Sequence, residues 1–378
     1  MLKEIIFYCY GDSKNASTWS NVPYLFTKTL ENKGIIVRRV DLNIFPFLNK
    51  LYRHTISRIL NVFYPQHQYG FQRTAFYHFF VNKKIEETIN IYNKADLCVF
   101  TCFDFYNKNK RIPSLLFCDW TYDILIKNRL ERELYPFEKR FSKQQDKAIN
   151  RAEYVVSLFP VCAETMKKKY PCANINYLGG NVINSLYEGE IDETKIVEKK
   201  FCSNKILFIG APKYKDGLLL LINSLNKLPK TSELHVIGME RKHVSNAPHN
   251  VIFHGYLRKD VEEERKIYYD LVLSSKMLVN PTERWAGYSS TIEVMSFYTP
   301  IIVSRYEDFV KEFGDNIDFG IYNDVFSVEC LAENINKILS LSKEKYISFC
   351  ISAHDVVESY TWDSYIDRLL RLICKHSN

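Results

Sequence analysis

Ten cysteines occur in this chain of 378 residues, yet there is no C-x-x-C pair and no Cys/His spacing that would hold zinc. Scattered from Cys9 to Cys374, they read as small buried apolar residues in a reducing compartment, which favours the cytoplasm. No Asp-x-Asp triplet appears and no histidine has ligand spacing, so no metal and no cofactor is expected. No apolar run approaches the roughly 18 to 20 residues that span a bilayer. The opening Met1-Leu2-Lys3-Glu4 is too short and too acidic for a signal peptide, and the IIFYCY after it reads as a first β-strand. Short-period repeats and low-complexity tracts are also missing.

Acids are missing from one long window. Residues 42–85 contain none, but carry Lys50, Arg53, Arg58, Arg73, Lys83 and Lys84. Leu48, Leu51, Tyr52, Ile56, Ile59 and Phe63 follow helical spacing between the basic residues. A basic amphipathic helix with aromatics suits an anionic membrane surface; a core-packed helix with a solvated basic face is the plainer alternative. The bias is regional: residues 1–190 hold 27 Lys and Arg against 18 Asp and Glu, and the rest hold 24 against 26. Without a helix-turn-helix or zinc signature, the basic segment gives no case for nucleic acid.

What is present is a series of short apolar runs, each ending in a small or turn-forming residue and followed by a helical pattern. In the first half they run from Ile5–Tyr10 through Ile35–Val40, Leu97–Thr101, Ser114–Cys118 and Tyr154–Phe159 to Ile175–Leu178. Helices are expected over Val22–Lys33, Lys83–Asn93, about 122–151 and Ala163–Lys169, and residues 185–204 read as a linker. A second array starts at Lys205, and a last amphipathic helix covers Trp362 to about Cys374. This predicts an α/β protein with two Rossmann-like domains facing a cleft, 1–188 and 189–361, with 362–378 packing back on the first.

The stretch from Ile206 to Ser304 says most. Strand ends at Gly210, Gly238 and His254-Gly255-Tyr256 are followed by Gly287-Tyr288-Ser289-Ser290, a glycine turn into a helix that carries Glu293. Backbone N–H groups at such a turn suit a phosphate, and the acid beyond them suits a ribose diol. An ion pair to a neighbouring loop is the other reading of Glu293, since an acid on an apolar helix face needs a partner. In the first half, Gly11 ends strand one, and the loop after it places Thr18 and Trp19 at a strand's carboxyl end. Asp104 and Asp119 hold similar places; Asp119 could orient or deprotonate an acceptor hydroxyl, or cap the next helix.

These stretches resemble the GT-B glycosyltransferases, especially the large retaining group numbered family four. Phe208-Ile209-Gly210, Lys213 to Gly217, and Trp285-Ala286-Gly287-Tyr288 before Glu293-Val294-Met295 match its donor motifs in order and spacing. Thr18 to Tyr24 and Gly179-Gly180-Asn181-Val182 extend the resemblance over nearly the whole chain. The family's arginine is Ala211 here, Asp216 holds its lysine position, and Trp285 replaces the first of its two glutamates. Lys213 or Lys215 would then neutralise the leaving diphosphate, and Glu283 would stand in for the missing acid unless the sugar is held differently.

The resemblance implies a sugar transfer, with retention of configuration, from a nucleotide-diphosphate sugar bound by 189–361 to a glycan or lipid-linked acceptor bound by 1–188. The missing Asp-x-Asp triplet favours a metal-independent site, and the acid-free window 42–85 suggests work at the cytoplasmic membrane face. The alternatives are an inverting enzyme with Asp119 as base and a sugar-nucleotide-binding protein without turnover.

Overall fold

The computed structural model describes residues 2–109, 111–179, 182–244, 246–283 and 287–375. Two compact units divide the chain. One holds the residues up to Gly179 together with those from Trp362 on; the other holds the residues between.

The first unit runs β1 (Glu4–Cys9), α1 (Val22–Asn32), β2 (Ile36–Asp41), α2 (Pro46–His54), α3 (Ile56–Phe63), α4 (Ala75–Ile91), β3 (Leu97–Phe100), β4 (Ser114–Cys118), α5 (Tyr122–Leu130), α6 (Pro136–Arg151), β5 (Tyr154–Ser157), α7 (Pro160–Lys169) and β6 (Ile175–Asn176). Its strands form one sheet, every pair parallel, in the order β2-β1-β3-β4-β5-β6. Central strands such as β1 and β3 are buried on both faces, so they read as unbroken apolar runs, whereas β2 at the edge stays largely open.

The second unit runs α8 (Glu193–Phe201), β7 (Lys205–Ile209), α9 (Lys215–Ser224), β8 (Glu233–Ile237), β9 (Val251–Gly255), α10 (Glu262–Ser274), β10 (Met277–Asn280), α11 (Ser289–Met295), β11 (Ile301–Ser304), α12 (Glu307–Phe313), β12 (Gly320–Asn323), α13 (Val328–Leu339) and α14 (Lys343–Asp355). Again the sheet is parallel, in the order β12-β11-β10-β7-β8-β9. The chain then returns to the first unit as α15 (Trp362–Lys375). Trp362 packs its ring 5.7 Å from Phe26 of α1, and Lys33 pairs with Asp367 at 2.8 Å.

Several elements differ from the sequence expectation. The basic segment is two short helices, because the backbone turns at Thr55 (φ −119°, ψ −84°). The charged region 122–151 is also two helices: Glu131 adopts a left-handed conformation (φ 49°) that ends α5, and Pro136 starts α6. The helix expected from Lys83 begins at Ala75, where the Thr74 hydroxyl accepts from Tyr77 N. The expected linker contains α8, capped by Asp192. Lys200, fully buried on α8, donates to the carbonyls of Val272 and Ser275 and to Thr299 Oγ1 (2.8 Å), closing the end of α10. In return Lys276 donates to the Phe201 carbonyl at the end of α8 (2.5 Å). Among the described residues, no helix is long and apolar enough to cross a membrane.

Candidate active site

In the second unit, three adjacent strands end in glycines whose backbones touch. Gly210 N donates to the Ile237 carbonyl (2.9 Å), Gly238 N to the Gly255 carbonyl (2.6 Å), and Gly255 N to the Met239 carbonyl (3.1 Å). Gly238 holds φ +96°, and a Cβ there would lie 2.6 Å from the Gly210 oxygen. Only glycine meets both conditions, so the carboxyl ends of β7 and β8 stay bare of side chains. Beside them an open groove of about 620 Å³ runs along β9, lined in part by Glu240, Arg241, His254, Gly255 and Tyr256.

Lys213 lies in a 3-10 turn with its ammonium 4.7 Å over the Tyr214 ring, and Lys215 opens α9. Both lysines are exposed. Gly217, in the first turn of α9, is pressed against Thr282: a Cβ there would come 2.7 Å from the hydroxyl and 3.1 Å from the backbone. The fold thus brings the lysine turn alongside the segment that carries exposed Glu283. Arg284, Trp285 and Ala286 lie outside the described residues, as do Gly180 and Asn181.

Gly287 precedes Tyr288, and Ser289 and Ser290 open α11, a helix of only seven residues. Tyr288 is a core residue rather than a ligand-facing one: its ring packs 5.6 Å from Phe309 and 6.0 Å from Phe313. Only its backbone remains for a ligand at that turn.

Glu293 is buried and fully engaged. Its Oε1 accepts from Lys259 Nζ (2.6 Å) and Tyr269 OH (3.0 Å); its Oε2 accepts from Lys259 again and from Tyr268 OH (3.2 Å). Burial first, then the Glu293 charge, pushes both phenols well above their ordinary range. The ion pair named as the plainer reading of Glu293 is therefore present, and a ribose diol would have to displace one of these donors. Lys259, Tyr268 and Tyr269 were missed in the sequence because each meets Glu293 across a long stretch of chain.

In the first unit, Gly11 (φ +98°) donates its N–H to Asp41 Oδ1 at 2.7 Å, and a Cβ on it would lie 3.2 Å from the Thr18 methyl. The Thr18 hydroxyl donates to the Asp12 carbonyl (2.7 Å). Trp19, Ser20 and Asn21 follow with φ of 39°, 53° and 70°, and the Trp19 ring lies 6.1 Å from Phe117. Three consecutive non-glycine residues in this region carry strain of roughly 1–2 kcal/mol each, which concentrates at working sites.

Asp104 accepts from Tyr10 OH (3.2 Å) and Gln145 Nε2 (2.7 Å) and remains partly open. Asp119 is also partly open, and its carbonyl accepts from the Ser157 hydroxyl (3.0 Å). The cap of α5 is Thr121, not Asp119, which removes the capping reading of that acid. The thiols at nearby strand ends are neutral: burial pushes Cys9 up to about 12, and Cys102 and Cys118 far above their ordinary value.

Two parallel six-stranded sheets, each flanked by helices, define the GT-B fold of glycosyltransferases. Residues 203–341 match the family model described as Glycosyl transferases group 1. The whole chain is similar in structure to sucrose-phosphate synthase (tll1590) from Thermosynechococcus elongatus, with a TM-score of 0.69, 13% identity, and coverage of 99% of this chain and 98% of that one. It is also similar to WaaG, a glycosyltransferase involved in lipopolysaccharide biosynthesis (TM-score 0.65, 14% identity, 98% and 99% covered). Anabaena Alr3699/HepE, solved in complex with UDP and glucose, follows at 0.60 and 12% identity, with 99% and 100% covered. No curated protein matches the chain by sequence.

Proposed function

We propose that the protein is a retaining, metal-independent glycosyltransferase that takes a sugar from a nucleotide-diphosphate sugar and gives it to a glycan or lipid-linked acceptor at a cytoplasmic membrane face. The observation that carries this reading is the close-packed trio Gly210, Gly238 and Gly255, which leaves bare strand ends inside the segment matching Glycosyl transferases group 1. Bare strand ends in an open parallel sheet are where a nucleotide sits.

In the transfer, the acceptor oxygen bonds to the anomeric carbon while the bond from that carbon to the phosphate oxygen breaks. The nucleoside diphosphate leaves with the electron pair and accepts the acceptor's proton. Lys213 or Lys215 offsets the charge that grows on it. Glu293 serves the donor together with Lys259, Glu283 lies toward the sugar, and Tyr256 flanks the base. Thr18, Trp19, Asp104 and Asp119 meet the acceptor. Asp119, half-buried just beyond the carboxyl end of β4, would be the base of an inverting course, which is the second reading.

A thermal-shift series with UDP-, GDP-, ADP- and TDP-sugars tests the donor, UDP first because HepE was solved with UDP and UDP-glucose. A donor at 100 times its Kd adds about 2.7 kcal/mol of stability. Transfer should persist in excess EDTA, and NMR of the product anomer decides between retention and inversion. Saturable donor binding without transfer or hydrolysis over a broad acceptor panel would instead make it a binding protein.

A further inference from the structure

The paired helices α2 and α3 lack the burial that helices of their length require. Eight or nine residues fall well below the roughly 12 to 15 that isolated helices need in water, so packing of an apolar face must hold them. Yet α3 buries no side chain at all, and α2 buries Tyr52 alone, whose ring lies 5.9 Å from Phe71. Their apolar residues point outward instead: Phe47 is 74% exposed, Val62 75% and Phe63 72%, with Leu51, Ile56 and Ile59 also open. Phe76 and Phe79 on α4 are exposed too. A run of ring contacts, Tyr52–Phe71–Phe76–Phe80–Phe45, joins α2 and its N-cap to α4.

The base of this pair, by contrast, is pinned. Buried Glu138 accepts from Gln68 N (3.1 Å) and pairs with Arg132, which also donates to the Gln66 carbonyl (3.1 Å). Tyr135 OH reaches the Pro65 carbonyl (3.0 Å), and Tyr77 OH the Leu42 carbonyl (2.5 Å). A firmly held base with a bare apolar face fits an occupant outside the chain.

Charge identifies the occupant. Of the six basic residues in the acid-free window, three are committed. Arg73 donates to the Gln68 carbonyl and lies 4.8 Å over the Tyr122 ring, Lys84 donates to the Asp41 carbonyl, and Lys83 pairs with Glu87. Lys50, Arg53 and Arg58 are exposed, and among the described residues no side chain pairs with them. Apolar residues framed by three free cations suit lipid tails beneath anionic headgroups. A second copy docking the same face would oppose these cations to each other.

We propose that α2 and α3 form a wedge that inserts Phe47, Val62 and Phe63 into an anionic bilayer, with Lys50, Arg53 and Arg58 at the headgroups. The wedge opens directly from the carboxyl end of β2, where Asp41 holds Gly11 and Leu42 N donates to the Cys9 carbonyl (2.7 Å). It therefore stands on the strand edge that carries the acceptor groups of the first unit. This deepens the proposed function by naming the membrane contact, and it does not require sugar transfer to be right.

The test is co-sedimentation of the full chain with vesicles of phosphatidylcholine alone and with added phosphatidylglycerol. Binding should rise at least tenfold with the anionic lipid and weaken with salt. Val62→Asp with Phe63→Asp should abolish it, and Lys50, Arg53 and Arg58 changed together to Glu should lower it more than tenfold. Phe63→Trp should shift its emission to the blue on vesicles. All these positions are exposed, so melting temperature and circular dichroism should stay as in the wild type. Two results overturn the wedge: a wild type that ignores anionic vesicles at low salt, or a dimer in sedimentation equilibrium that Val62→Asp with Phe63→Asp dissociates. Donor thermal shifts are read in the same samples; if they persist when vesicle binding fails, the wedge is lost and the transferase reading is untouched.

Discussion

The Lys259 ammonium donates to both carboxylate oxygens of Glu293 and also to the Asn184 carbonyl at 3.1 Å. Tyr269 shares in the same node, accepting from Leu186 N (2.6 Å) while it donates to Glu293. One acid thus ties α11 to α10 and to the segment that enters the second unit. Glu293→Gln should strand a part-buried ammonium and cost about 3 kcal/mol in urea unfolding. Pairing it with Lys259→Met should recover part of that loss. Calorimetry of donor binding should show at least a tenfold drop for Glu293→Gln, and unchanged binding would remove the node from the donor site.

Lys213 and Lys215 flank one turn, and in the proposed reading a single diphosphate faces only one of them. Alanine at that lysine should lower kcat more than tenfold, about 1.4 kcal/mol in the barrier, while alanine at the other stays within about threefold of the wild type. Two near-neutral variants would move the neutralising charge elsewhere. Arg305 is a poor substitute, because Asp324 (2.7 Å) and Asp315 (3.3 Å) already hold it.

Lys200 sets a slope on the alkaline side. Burial lowers its ammonium from 10.5 to about 7. Between those values the unfolded chain holds a proton that the folded chain lacks, so stability rises with pH from about 7 upward. Urea midpoints should be higher at pH 8.5 than at pH 7, and Lys200→Met should flatten the difference. An identical slope in the variant would assign the effect to other groups.

Glu138 acts on the acid side. Burial alone would raise its carboxyl, but Arg132, the N–H groups of Tyr135 and Gln68 and the Tyr122 hydroxyl together hold it at about 2, against 4.5 unfolded. Its contribution is complete above about 4.5 and fades as the pH falls toward 2. Glu138→Gln should lose stability at pH 7 and show a shallower acid decline. The same variant should speed amide exchange at Gln68, below the α2–α3 wedge.

The parallel sheets were legible because strands covered on both faces leave apolar runs, and because strand ends of the second unit are spelled in glycine. Element breaks were less visible. Nothing local marks the turn at Thr55 or the left-handed Glu131, and α8 hides its burial behind charge, since Lys200 is a core residue with a polar name. The site was legible only along the chain. Gly210, Gly238 and Gly255 could be paired by position, whereas the grip of Lys259, Tyr268 and Tyr269 on Glu293 arises from folding across 24 to 34 residues. The exposed apolar side chains of α2 and α3 were readable as a pattern; which of the basic residues are engaged was not, because Arg73 is taken up by Gln68 and Tyr122.

The two places where the chain passes between units lie side by side: Ile183 N donates to the Tyr360 carbonyl at 2.9 Å. The second unit is therefore an insert whose two ends already meet. Excised at those ends, it should fold alone and bind nucleotide, since its sheet, its glycine turns and the Glu293 node are built from its own residues. The first unit is the dependent one: it is written in two pieces, and Trp362, packed on Phe26, must come back from beyond the second unit before its core is closed. During synthesis the second unit is complete while the first still waits for α15.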